Sequence, residues 1–368
     1  MEKLTVNAPS RTYDILIGWD LLPRVGGQLM DRGIASPHRP VAVLTSPRIG
    51  GHYFDAVRLS LEESGTAQVG RKDIPDGEKH KNLDEYAEAL EWLSQIAGRP
   101  GETPLIITLG GGVVGDLGGF VAHTFKRGTP FVQVTTTLLG AVDCSVGGKV
   151  AVNLPAGKNL VGAFHQPSLV VADLSCLRTL PEREIKSGMA EVIKYGAALD
   201  GDLFGVLEEN IEEIMQLDRD LLVRVVKACC EIKARVVNRD ELDNRGVRIS
   251  LNFGHTLGHA IENVCGYALT HGECISIGMA AAVRISERLG LCASGLVDRI
   301  ESLLVSAGLP VKYDKAPIDG DKVLEVMKRD KKWADGRNRF VLLTDVGAWK
   351  EVEGVDMDLV EKVVEEVL

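Results

Sequence analysis

The chain runs to 368 residues, more than one hydrophobic core ordinarily serves, so two domains are expected. With 45% hydrophobic and 26% charged residues it has the make-up of a globular protein, which excludes a disordered or low-complexity chain. A formal net charge of −10 argues against nucleic acid as a partner, no apolar run approaches a membrane span, and residues 1–9 carry no signal-peptide pattern. The expectation is a cytoplasmic protein with a small-molecule ligand. Its 7 cysteines include no Cys-x-x-Cys spacing, so reduced, mostly buried thiols are expected.

Taken in order, residues 12–17 and 41–45 read as strands, and 83–97 carries the helical repeat Leu83, Ala87, Leu90, Leu93. Residues 105–109 form a short apolar run ending in glycines, the pattern of a buried parallel strand feeding a loop. Residues 131–139 and 169–174 read as strands of the same kind. Past Leu180 the segments 182–199, 203–215, 220–238, 252–264, 275–289 and 297–307 all fit a helical period. The fold class expected is therefore α/β with a parallel sheet over residues 1–177, followed by a mainly α-helical domain over 178–368.

Four stretches carry candidate chemistry. Gly110 to Gly119, reading Gly-Gly-Gly-Val-Val-Gly-Asp-Leu-Gly-Gly, follows the strand at 105–109 and should open a helix, a place suited to a pyrophosphate or simply to a tight strand-to-helix turn. The polar loop from Asp76 to Lys81 offers Glu78 to ribose hydroxyls, or is a solvated charge run. Two loops, 143–149 and 155–160, set Lys149 and Lys158 beside glycines and within apolar flanks, which suits a phosphate or carboxylate. The fourth stretch, Asn252 to Glu262, places His255 and His259 one turn apart on a helix, a metal-ligand spacing that does not say which histidine coordinates. Glu191 and Lys194 share a helical face as an ion pair or as part of a site, and His271 is a loop histidine just before a helix. Glu191, His255 and His271 together would make an open, catalytic type of metal site.

As a set, residues 111–119, 134–149, 158–167, 176–181, 190–196, 252–262, 271–273 and 330–343 resemble 3-dehydroquinate synthases, in order and in spacing. The resemblance implies a dinucleotide-binding domain followed by a helical domain, with the active site in the cleft between them. It also implies NAD, one divalent metal ion, zinc or cobalt, and a homodimer. The implied reaction is a carbon–oxygen lyase step of the shikimate pathway, from 3-deoxy-D-arabino-heptulosonate 7-phosphate to 3-dehydroquinate and phosphate. It proceeds by transient NAD oxidation, phosphate elimination, reduction and intramolecular aldol closure. On the family pattern Glu191, His255 and His271 match the metal ligands. Lys149, Lys158, Asn159, Lys194, Arg248, Asn252, His259 and Lys331 match substrate positions, with Lys332 beside Lys331, and Arg127 matches an arginine given across the dimer. Asp76, Gly77, Glu78, Lys79, Lys81, Gly112, Val113, Val114, Gly115, Asp116, Thr136, Thr137, Cys176, Leu177, Arg178 and Thr179 match nucleotide contacts. Lys149 and Lys158 are counted with these too, and Asp143 lies near the nicotinamide. Thr135, Cys144 and the Phe125-Lys126-Arg127 loop depart from the common pattern, and the segment 240–248 is one residue longer, which leaves a family glutamate unassigned near Asp243 or Asn244. Sister cyclases acting on other phosphate esters, such as 2-deoxy-scyllo-inosose and valiolone synthases, and a metal-dependent polyol dehydrogenase are the rival readings.

Overall fold

The computed structural model describes residues 1–66, 68–97, 103–266, 268–315, 318–328 and 337–368. Contacts divide the chain into two compact units, Met1–Leu180 with Lys233–Leu242, and Pro181–Ile232 with Asp243–Leu368.

The first unit holds β1 (Glu2–Ala8), β2 (Arg11–Gly18), α1 (Val25–Asp31), β3 (Val41–Thr45), α2 (Pro47–Glu63), β4 (Val69–Asp73), α3 (Leu83–Ile96), β5 (Leu105–Gly110), α4 (Gly112–Thr124), β6 (Phe131–Thr135), β7 (Lys149–Leu154), β8 (Gly157–Phe164) and β9 (Leu169–Asp173). Every residue of β3, β5, β6 and β9 is buried, because helices cover both faces of the sheet. Side chains of β3 alternate between two cores: Val41 and Val43 pack with Leu29 and Leu61 of α1 and α2, whereas Ala42 and Leu44 pack with Leu93, Leu117 and Val121 of α3 and α4. Strand order is β1-β2-β9-β6-β5-β3-β4, parallel throughout except for the antiparallel pair β1–β2. From β3 the chain goes outward to β4 and then returns to the opposite side of β3 as β5. The carboxyl ends of β3 and β5 therefore flank a topological switch point, the usual ligand crevice of such sheets.

The second unit holds α5 (Glu182–Leu199), α6 (Gly201–Met215), most of α7 (Arg219–Arg239), α8 (His255–Val264), α9 (His271–Arg288), α10 (Leu296–Ser306), α11 (Gly320–Lys328), the hairpin β10 (Arg339–Asp345) and β11 (Ala348–Glu353), and α12 (Met357–Val367). Backbones approach closely where α5, α8 and α9 meet. Gly272 donates its N–H to Ser187 Oγ at 3.0 Å, and a Cβ at Gly278 would lie 1.9 Å from the carbonyl oxygen of Gly254.

Four expectations need correction. The strand at 131–139 stops at Thr135, because Thr137 Oγ1 accepts from Gly140 N–H at 3.0 Å and starts a turn instead. Lys149 at the end of the first lysine-bearing loop opens β7, and most of the second, 155–160, belongs to β8, so both lysines sit on the antiparallel hairpin β7–β8, whose Val150 and Val152 are buried. His271 is the first residue of α9 and not a loop residue, since Thr270 and Glu273 form a capping box that starts the helix four residues before Ile275. The helix expected from residue 252 begins at His255, after Val247–Asn252 form a 3-10 turn and Gly254 adopts a φ of +77°.

Gly278→Ala is expected to lower stability by about 2–3 kcal/mol through overpacking of α8 on α9. Urea denaturation of the metal-free protein, with an exposed-glycine control such as Gly51→Ala, measures the difference.

Candidate metal centre and nucleotide pocket

Glu191 lies mid-helix in α5 with 1% of its surface exposed. A carboxylate there stays ionised only if charge and hydrogen bonds replace the lost water. Burial pushes its pKa up, but the ammonium of Lys194, one turn on and itself buried, outweighs burial together with His271 and holds the carboxyl at about 2. Lys194 takes Oε2 in a close ion pair. The other oxygen, Oε1, has no hydrogen-bond partner among the described residues. It lies 3.5 Å from His255 Nε2 and 3.5 Å from His271 Nε2. His255 Nδ1 is turned to the carbonyl of Phe253 at 3.0 Å, which leaves Nε2 as the ring's outward donor. One donor atom from each of Glu191, His255 and His271 falls within 4.8 Å of the others. An orphaned buried carboxylate oxygen facing two imidazoles fits a divalent cation that accepts nitrogen and oxygen.

His259 is exposed, and its ring centroid lies 5.0 Å from that of His255 and 6.0 Å from that of His271. His259, Glu262 and His271 form a second grouping of suitable donors, sharing His271 with the first. Arg248 is buried and Asn252 half-buried in the 3-10 turn that precedes α8.

In the first unit, β5 ends in Gly110, Gly111 is the N-cap of α4, and Gly112 opens it. A Cβ at Gly111 would lie 3.0 Å from Thr137 Cγ2, and one at Gly112 would lie 3.2 Å from Cys144 Sγ, so this turn tolerates side chains poorly. A small pocket here is lined by Gly110, Gly111, Gly112, Thr135, Gly140 and Cys144. Burial pushes the Cys144 thiol above its ordinary range, which disfavours the thiolate. The hydroxyls of Ser46, Thr135 and Thr136 are buried without hydrogen-bond partners among the described residues. They sit at the carboxyl ends of β3 and β6, on either side of β5. Orphaned hydroxyls beside a glycine-rich helix start at the switch point fit a dinucleotide.

Profiles described as 3-dehydroquinate synthase N-terminal and 3-dehydroquinate synthase C-terminal match residues 71–187 and 188–333. The chain belongs to the 3-dehydroquinate synthase family. It is 48% identical over 348 residues to a 3-dehydroquinate synthase of Pelobacter propionicus, covering 94% of each chain. Its identity to a 3-dehydroquinate synthase of Neisseria meningitidis is 42% over 372 residues, covering all of both. Among solved structures, a 2-deoxy-scyllo-inosose synthase complexed with carbaglucose-6-phosphate, NAD+ and Co2+ matches with a TM-score of 0.87 and 25% identity over the whole of each chain.

The loop after β4 is not a plain charge run. Lys81 is buried between Asp116 Oδ2 at 3.0 Å and Glu78 Oε1 at 3.3 Å, and although burial alone would lower it, those two carboxylates raise its pKa. Glu78 also accepts from Asn153 at 2.8 Å and lies 4.0 Å from Lys158. Asp76, Gly77 and Lys79 are exposed at the front of the same loop, while Val113, Val114, Gly115 and Asp116 form the first turns of α4. Cys176 and Leu177 are buried in a 3-10 turn after β9, Arg178 lies 5.2 Å over the ring of Trp19, and Thr179 bonds Tyr53. Lys149 is exposed at the head of β7 behind two left-handed glycines, and Asn159 takes a φ of +54° with its N–H on Asn153. Arg127 is exposed in the turn after α4. Lys331 and Lys332 lie outside the described residues.

Three residues escape a sequence reading. Lys233 donates to the carboxylate and carbonyl of Asp143 at 2.8 and 2.7 Å, but within α7 it is one more cation of an amphipathic helix. Ser46 reads as an ordinary N-cap, and Glu262 as a helical surface acid.

The His271 imidazole, pushed down by burial but up by Glu191 and Glu262, has its pKa raised to about 9. A raised pKa means the ring carries a proton at neutral pH, and a metal must displace it. Zinc uptake by the metal-free protein is therefore expected to release about one proton from His271 at pH 7.5 and none above about pH 10. Calorimetry in buffers of different ionisation enthalpy counts the protons.

Proposed function

We infer that this chain carries out the 3-dehydroquinate synthase reaction, converting 3-deoxy-D-arabino-heptulosonate 7-phosphate to 3-dehydroquinate and phosphate in the shikimate pathway. Membership of the family over nearly the full length supports the reaction. The orphaned Glu191 Oε1 facing two Nε2 atoms is the observation that carries the metal-dependent chemistry. What bound NAD and the metal, zinc or cobalt, supply is removal and later return of one hydride at a substrate carbon whose hydroxyl is polarised.

Glu191, His255 and His271 hold the metal. Lys194 performs two tasks from one position: it keeps Glu191 anionic, and its ammonium, with the Arg248 guanidinium, meets the substrate carboxylate. Asn252 and Asn159 donate to substrate hydroxyls and fix the reacting face. On the family pattern Lys149, His259 and Lys331 match phosphate-side positions, where positive charge favours the departing dianion, and the phosphate itself takes up the neighbouring proton. Ser46, Thr135 and Thr136 supply hydroxyls, and the Gly111–Gly112 turn supplies closeness, for the nucleotide, with the other family-matched residues around it. Asp143, held by Lys233, faces the nicotinamide side. Loss of phosphate, closure of the carbocycle and restoration of the oxidised nucleotide then leave no net redox change. The protein works as a cytoplasmic homodimer in which Arg127 serves the partner's site.

Lys149→Ala and His271→Ala are each expected to reduce phosphate release by about 10³-fold or more while the far-ultraviolet circular dichroism stays parental. In the parental protein, phosphate release proceeds without net change in NADH absorbance, whereas a dehydrogenase would accumulate NADH. Mixing Arg127→Ala with His271→Ala chains, after dissociation and reassembly, is expected to restore about a quarter of parental activity, because half of the dimers are mixed and each contains one complete site. Activity no higher than the summed residues of the two variants excludes sharing of Arg127.

A further inference from the structure

Both histidines of the metal grouping present Nε2 to Glu191, and each ring must be held by its other nitrogen if that presentation is to persist. For His255 the holder is the backbone carbonyl of Phe253. The corresponding group for His271 is a carboxylate: Glu262 Oε2 lies 3.5 Å from His271 Nδ1. Glu262 is on α8, two helical turns beyond His255, and only 8% exposed. A packed helix face does not by itself retain a carboxylate at that burial, since desolvation disfavours it unless a cation or strong donor is opposite.

We propose that Glu262 is the positioning residue of His271, accepting the Nδ1–H so that Nε2 is the nitrogen given to the metal. The inference rests on the metal reading above and deepens it. It assigns unlike supports to two alike ligands, a neutral carbonyl behind His255 and an anionic carboxylate behind His271. An anionic acceptor makes its imidazole the more basic donor, so His271 is the stronger of the two nitrogen ligands. It also decides between the two donor groupings that share His271. Glu191, backed by Lys194 and with one oxygen left over, binds the ion, and Glu262 stays outside it.

Zinc titration of the metal-free full chain against a chromophoric chelator, with the d–d absorption of the cobalt form, tests this. Glu262→Gln, which keeps the shape and an acceptor but not the charge, is expected to weaken zinc binding about 10-fold, and Glu262→Ala about 100-fold. Both shift the cobalt spectrum while the ion remains bound, and a purely packing role would leave affinity and spectrum alone. Parental zinc affinity and an unchanged cobalt spectrum in both variants overturn the proposal. So does complete loss of binding in Glu262→Gln together with retention in His255→Ala, which would make Glu262 a ligand of the other grouping. A parental protein that takes up neither zinc nor cobalt overturns the metal reading itself.

Discussion

Ionisation of one buried carboxylate organises the helical unit. Glu191 cannot be solvated at 1% exposure, so its two oxygens have to be answered by protein groups, and Lys194 answers one of them. The second needs positive charge that the chain does not fully provide, which is why α8 and α9 are brought in with imidazoles directed at it. Helices carrying full side chains at every crossing would stand 8–10 Å apart. The glycines at 254, 272 and 278 remove the obstructing Cβ atoms and let the backbones close in. Packing and chemistry thus impose the same demand on these positions.

The α/β unit is governed by a different constraint. Parallel strands buried on both faces leave their hydrogen-bonding needs at the strand ends, and the reversal of chain direction around β3 opens a crevice there. Thr45 closes part of it by donating to Leu109 O at 2.8 Å. Ser46, Thr135 and Thr136 do not close it, and their unmet hydroxyls are what a nucleotide would find. Lys81 and Asp116 tie the loop after β4 to α4, so the floor of the crevice is fixed before any ligand arrives.

Much of this was legible in the residues because burial on two faces writes itself as unbroken apolar runs, and the long helices as a 3.6-residue period. Gly147, Gly148, Lys149 and Lys158 read as loop chemistry, whereas the deciding feature for the β7–β8 hairpin is that Val150 and Val152 have a core to enter. His271 reads as a loop residue from periodicity alone, because the helix start is set by the Thr270–Glu273 capping box and not by an apolar repeat. Periodicity could pair His255 with His259 but not choose between them, since the choice depends on Glu191 and His271, which are distant in sequence. Residue types allow Glu191, His255 and His271 to be grouped as an open metal site, and the family resemblance is what matches those three to the ligand positions. Lys233 and Ser46 left no trace because each has an ordinary role at its own position and acquires another only through a tertiary neighbour.

All three donors, the Lys194 charge that holds Glu191 and the Arg183–Glu273 pair at the foot of α9 lie within the second unit. The hydroxyls and glycines suited to the nucleotide lie entirely within the first. The groups suited to a metal and those suited to a nucleotide are therefore carried by different units. The three candidate donors need only α5, α8 and α9 in place, so losing a nucleotide from the other unit would leave each of them where it is.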